Sequence, residues 1–189
     1  MQWDLYCRVV DNFGDIGVAW RLAADLAARG ESVRLAVDDA RALAWIAPDG
    51  ADGVTVVGWG DAPSSAPDVA VELFGGGRPG SAWSTTDDGR APLLVNVEHL
   101  TAEPYAERSH GLPSPTRRPG EAPSTTWFFF PGFTPASGGL PFMASCAARG
   151  PGASCARARP SLYSSMVTQP RLTTRSRCIA AVSAIGPPK

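Results

Sequence analysis

An α/β fold with a parallel sheet is predicted by three features of the first forty residues. An apolar run over 3–10 ends in Asp11-Asn12-Phe13-Gly14-Asp15-Ile16-Gly17, an apolar period of four follows, and Val33, Leu35 and Val37 then alternate strictly. Strand, helix and strand in that order make a βαβ unit with a right-handed crossover. Open sheets of this kind keep their chemistry where a strand turns into a helix, and that is where this chain places two acids.

Leu5, Cys7, Val9 and Val10 suit a buried strand, and Arg8 is the only charge between Asp4 and Asp11, as a central parallel strand requires. Beyond Gly17, Val18, Leu22 and Leu26 recur every four residues beside Ala19, Ala23 and Ala27, while Arg21, Asp25 and Arg29 hold another side. This is an amphipathic helix closed by Gly30. Residues 39–47 suit a short helix stopped by Pro48-Asp49-Gly50, and 54–57 a short strand. Val69, Val71 and Leu73 alternate with Asp68, Ala70 and Glu72 in a strand ending at Gly75-Gly76-Gly77. Leu93, Val95 and Val97 alternate with Leu94, Asn96 and Glu98 in the next, and 127–130 add a last one. Residues 63–67 and 78–92 are rich in Gly, Pro, Ser and Asp and read as connections, with room for a helix near Trp83. There is no internal repeat.

The formal net charge of −1 over 189 residues gives no electrostatic reason to expect nucleic acid. It hides a split. Residues 1–140 hold all 18 acids and ten Arg, a balance of −8, whereas 141–189 hold no acid, six Arg and Lys189, a balance of +7. A tail of that length drawn from the composition of the rest would contain about six acids. It also has three of the four cysteines and no sustained period of 3.6 or 2. Three readings compete: a basic arm for nucleic acid, a metal-binding tail, or translation in the wrong frame. Cys146, Cys155 and Cys178 are spaced too widely for a CxxC knuckle, with no histidine beyond His110. The Arg residues are scattered. The Ala, Arg, Pro, Ser, Gly and Cys mixture favours the frame shift, so 1–140 reads as one domain and 141–189 as an irregular, non-native tail.

No export signal, apolar run of 18 residues or disulfide framework is visible, so the expected setting is the cytoplasm, without a membrane. Asp11 and Asp15 follow the first strand, Glu72 lies near the end of a later one, and Asn96 and Glu98 in the next. Carboxyl ends of parallel strands share one edge. Such a cluster could bind a cation or a sugar; equally, Asp15 is a natural N-cap or first-turn acid. Gly14 and Gly17 lack the G-x-G-x-x-G spacing of a dinucleotide loop. Two acids also repel phosphate there, leaving them for something cationic or for a group that must lose a proton.

The chain resembles the bacterial protein-arginine rhamnosyltransferases (EarP) that modify elongation factor P. The likeness runs from Val10 to Gly17 with Trp20-Arg21-Leu22, through Val37-Asp38-Asp39, Pro67-Asp68-Val69 with Glu72 and Phe74, and Asn96-Val97-Glu98-His99-Leu100 with Ala102-Glu103. It continues in His110-Gly111-Leu112-Pro113-Ser114-Pro115, Phe128 to Thr134 and Ser137-Gly138-Gly139-Leu140, and stops there.

The resemblance implies a Rossmann-like, acceptor-side, N-terminal domain of a GT-B glycosyltransferase. The implied reaction is inverting transfer of rhamnose from dTDP-β-L-rhamnose to an arginine of elongation factor P, with no cofactor and no metal. By motif, Asp15 is the catalytic base and Asp11 its partner, and Asn12, Phe13, Gly14, Gly17, Asn96 and Glu98 bind substrate. Asn96 and Glu98 could instead satisfy loop amides. His110 reads as a loop anchor and Phe128 to Phe130 as core. Without a donor half the chain is expected to be inactive alone. The competing reading is a non-catalytic module that binds elongation factor P. A nicotinamide-dependent oxidoreductase would need a glycine fingerprint as well as Asp38 at the end of the second strand.

Overall fold

The computed structural model describes residues 1–11, 13–61, 66–80, 91–117, 123–134 and 136–137. In chain order they form β1 (Gln2–Cys7), α1 (Gly14–Ala28), β2 (Ser32–Val37), α2 (Leu43–Ile46), β3 (Val54–Gly58), β4 (Val69–Leu73), β5 (Leu93–Val97), α3 (Tyr105–Ser109), β6 (Leu112–Thr116) and β7 (Ser124–Phe129). The strands make a seven-stranded sheet in the order β3-β2-β1-β4-β5-β7-β6. Every pairing is parallel except the antiparallel β6–β7 pair. The parallel α/β sheet read from the sequence is thus present, with β1 and β4 central.

Period-2 alternation divides the sheet into two unlike faces. Leu5, Cys7, Leu35, Val37, Val71, Leu73, Val95 and Phe129 share one core with Ile16, Ala19, Trp20, Leu22, Ala23 and Leu26 of α1. Each fully buried Leu or Ile there contributes roughly 1.5–3 kcal/mol by leaving water. Among the described residues the opposite face has a small apolar cluster, Tyr6, Ala36, Ala70 and Leu94, and carries polar pairs beside it. Asp4 and Arg34 sit in register on β1 and β2. They form a two-pronged bond, Nε to Oδ1 at 2.7 Å and Nη2 to Oδ2 at 2.9 Å, with the Tyr6 hydroxyl donating to the same carboxylate. Burial and the nearby Asp4 both raise the Tyr6 phenol.

Local departures from the sequence reading have identifiable causes. β1 ends at Cys7, short of the apolar run, and Val10 is 90 % exposed. α1 starts at Gly14, ahead of the expected change of period at Gly17. Asp25, placed on the polar side of that helix, is buried and paired with Arg29 at 3.2 Å. The helix expected over 39–47 is only Leu43–Ile46, because the Asp39 carboxylate takes the Arg41 N–H and side chain and holds 39–41 as a turn. α3 and β6 lie in a stretch for which the sequence pattern predicts no element. β6 has only β7 beside it, so alternate residues owe the ladder no N–H and Pro113 and Pro115 are tolerated. The helix expected near Trp83 and the tail over 141–189 lie outside the described residues. Among the described residues no helix is long and apolar enough to cross a membrane.

Candidate active site

Asp15 lies in the first turn of α1, 7 % exposed. Its Oδ2 accepts the backbone N–H groups of Val10 and Asp11, each at 3.0 Å. The carboxylate therefore ties the turn back onto the helix instead of capping α1, whose N-cap residue Phe13 makes no side-chain bond. Because both bonds fall on Oδ2, they fix the direction of the second oxygen as well. Asp11 stands beside it, exposed. A Cβ added at Gly14 would fall on the Asp11 carboxylate, so glycine there leaves room for the acid. Beneath the turn, burial and then the carboxylates of Asp15 and Asp38 push the Cys7 thiol up to about 12. Cys7 is a buried thiol, not a nucleophile.

The facing wall comes from the end of β4. Phe74 has φ +58, a left-handed conformation costly for a bulky residue and characteristic of functional sites. Its N–H donates to the Val97 carbonyl at 2.7 Å, and its ring stacks on His99 with centroids 4.6 Å apart. Gly76 follows closely against Arg8, where a Cβ would sit 3.3 Å from the Arg8 Cβ and from the Leu73 carbonyl. Arg8, Val10, Asp11, Asp15, Phe74 and His99 thus line one cleft of about 430 Å³. The Arg8 guanidinium lies over Trp59, 5.1 Å from the ring centroid. Two carboxylates beside an aromatic wall suit a planar cation such as a guanidinium.

Asn96 and Glu98 do not join them. They line a second cleft, about 210 Å³, on the sheet face opposite α1, with Glu72, Arg78, Thr116 and Thr126. Asn96 Nδ2 donates to Glu98 Oε1 at 2.6 Å, and Glu72 is ion-paired with Arg78. Gly75 borders both clefts. Phe13 is exposed at the mouth of the β1–α1 turn, and the side of Gly17 is open, with nothing within 4 Å of a Cβ. Asn12 lies outside the described residues. His110 Nδ1 is 3.1 Å from both the amide nitrogen and the carbonyl oxygen of Phe130, the anchoring role read for it. Phe129 is fully buried, whereas Phe128 lines the second cleft and Phe130 meets Tyr105 edge to face.

Phe74, His99 and Arg8 line the cleft without belonging to the site residues that the sequence motifs single out. The available signal was a large aromatic directly before Gly75-Gly76-Gly77, which marks a strand end bent into an unusual conformation.

With the acid pair seated at the turn, the comparison with known proteins is decisive. The profile of the family described as Elongation-Factor P (EF-P) rhamnosyltransferase EarP matches residues 3–176. The chain belongs to the EarP family. The match runs past Leu140, where the resemblance read motif by motif stops. A protein-arginine rhamnosyltransferase of Pseudomonas aeruginosa is 43% identical over 151 residues, covering 74% of this chain and 39% of the relative. That of Pseudomonas putida is 44% identical, covering 73% and 39%, and that of a serogroup B Neisseria meningitidis 38% identical, covering 72% and 37%. The chain spans about 39% of the length of the curated relatives it matches. The matched residues 3–176 of this chain include the β1–α1 turn, both of its acids and the Phe74 wall.

Proposed function

We propose that this EarP chain is the acceptor-side domain of a GT-B, inverting protein-arginine rhamnosyltransferase. On this reading it acts in the cytoplasm on an arginine of elongation factor P, with dTDP-β-L-rhamnose as donor. The observation that carries the reading is the cleft in which Asp15, anchored through Oδ2, stands beside exposed Asp11.

An arginine side chain has a pKa of about 12.5–13.8 and is a poor nucleophile while its charge is delocalised. Asp11 and Asp15 hold the guanidinium by charge-assisted hydrogen bonds and orient one nitrogen. That nitrogen attacks the anomeric carbon from the face opposite the diphosphate, the C–N bond forms as the C–O bond to the diphosphate breaks, and the configuration inverts. The proton shed by the nitrogen as it becomes glycosylated passes to Asp15. The dTDP leaves with its charge already present, so no acid catalyst is required. Holding two reactants in line is most of the work.

The test is mass spectrometry of elongation factor P after incubation with dTDP-rhamnose and a full-length protein made by joining this chain to the part of the Pseudomonas aeruginosa relative that it does not cover. Gain of one deoxyhexose on an arginine, lost with Asp15→Asn, is the expected result; equal transfer by Asp15→Asn would sink the assignment. The 189-residue chain alone is expected to bind elongation factor P and transfer little sugar. Turnover by the chain matching the full-length protein would overturn that expectation, and binding without transfer by both would favour the non-catalytic module.

A further inference from the structure

Three large apolar residues beside the acid cleft are left in water: Val10, Phe13 and Trp45 are 90 %, 55 % and 60 % exposed. Phe13 and Trp45 meet edge to face, 4.7 Å between centroids and 75° between planes. They form one ledge that joins the β1–α1 turn to α2. Neither ring serves the core, and Phe13 holds a helix N-cap where a short polar side chain is preferred. Local stability accounts for neither residue, and such conflicts concentrate at functional surfaces.

The ledge is continuous with the cleft, because Val10 lines it and Phe13 lies between Asp11 and Asp15 in the chain. Its rim is acidic. Asp11 and Asp38 are exposed, Asp38 being held by the Val9 N–H at 2.8 Å, and Asp39 is kept well below the usual carboxylate range, about 2, by Arg41. Three acids stand against two arginines, Arg41 and the Arg8 of the cleft, and this net acidic rim favours a basic partner surface. Val10 belongs to both cleft and ledge, so a protein surface delivering an arginine into the cleft from solvent would cross the ledge.

We propose that the Phe13–Trp45 ledge, extended by Val10, is the docking surface for the protein that carries the acceptor arginine, gripping apolar residues that flank that arginine. This rests on the proposed function and adds the surface on which the acceptor protein is recognised. Exposed aromatic pairs beside a polar rim are the usual anchors of such contacts.

The test compares two ligands of the full chain: elongation factor P by calorimetry, and N-acetylarginine amide by NMR titration. Trp45→Ala is expected to weaken elongation factor P binding tenfold or more while leaving the small amide and the melting temperature unchanged. Phe13→Ala should weaken elongation factor P binding as well. Unchanged protein affinity in Trp45→Ala overturns the inference, as does equal loss of the amide, which would make Trp45 part of the cleft. A wild-type dimer that dissociates on Trp45→Ala also overturns it, by assigning the ledge to a second copy. If the unaltered chain binds no elongation factor P, the functional reading fails first and takes the inference with it.

Discussion

The cleft between β1 and β4 and the cleft across β4, β5 and β7 both gather carboxylates at one edge of one sheet, yet they dispose of the charge in different ways. In the first, the Asp15 carboxylate is met by two backbone N–H groups and Asp11 faces solvent. In the second, Glu72 is ion-paired with Arg78 and Glu98 accepts from Asn96. Backbone N–H groups orient a carboxylate without neutralising it, whereas a guanidinium partner cancels its charge. The first cleft therefore leaves both of its carboxylates for a cation from outside, whereas in the second Glu72 is neutralised within the fold and Glu98, held by a neutral amide, keeps its charge. A carboxylate at a strand end is uninformative until its partner is known.

The largest effect that would break this contrast is on turnover. Asp15→Asn in the full-length protein is expected to lower transfer about 10²- to 10⁴-fold, the range for a lost general base, while Glu98→Gln lowers it less than tenfold. Single-turnover rates with elongation factor P measure both. Equal losses would mean that the two clefts work as one site.

Stability should show the reverse order. The Arg78 side chain is 2 % exposed and that of Glu72 12 %, so Glu72→Gln leaves a buried guanidinium with a neutral neighbour and is expected to cost about 3 kcal/mol. Asp15→Asn keeps an oxygen for the Val10 and Asp11 N–H groups and should cost less, about 1 kcal/mol. Urea unfolding of the two variants gives the ranking directly.

A smaller, pH-dependent difference is expected on the β6–β7 side. Burial lowers the His110 imidazole below its ordinary range, and its bond to the Phe130 backbone pulls the other way. The unfolded chain then binds the proton more readily than the folded one, so this contribution is intact above about pH 6.5 and stability falls as pH drops below it. His110 joins the start of β6 to the end of β7, and these strands supply Thr116 and Thr126 to the second cleft. The unfolding free energy should decrease between pH 7.5 and 5.5, and His110→Gln should flatten the slope. A slope unchanged by that substitution would remove His110 as its cause.

The same division governs what the sequence discloses. β1, α1, β2, β4 and β5 are legible because their burial is one-dimensional: a period of 2 or 3.6 against a continuous core writes itself into Leu5, Leu22, Leu26, Leu35 and Val71. β6 is not, because an edge strand with Pro113 and Pro115 obeys a rule about neighbours instead of composition. The acid pair is legible because Asp11 and Asp15 lie on one turn. The separation of Asn96 and Glu98 from them is not, since a strand end gives the edge of the sheet but not which face a side chain takes once the strand stops. Phe74 escapes for a related reason: its left-handed backbone is imposed by the Val97 carbonyl and the His99 ring, both distant in sequence.

The gentlest probe of the first cleft uses Gly17. It lies within α1, and a Cβ there meets nothing within 4 Å. Gly17→Ala restricts the unfolded chain and suits a helix, so a gain of about 0.5–1 kcal/mol is expected. Gly14 differs, because a Cβ there displaces the Asp11 carboxylate. If both glycines serve only to let substrate approach the backbone, both alanine variants should lose acceptor binding. If the cleft works through the direction of its carboxylates, Gly14→Ala should lose acceptor binding while Gly17→Ala keeps it and melts at a higher temperature. The second outcome is expected, since Asp15 is already fixed by backbone N–H groups and the steric demand at this turn falls on Asp11. Thermal melts and titration with elongation factor P, run on the same two proteins, decide it.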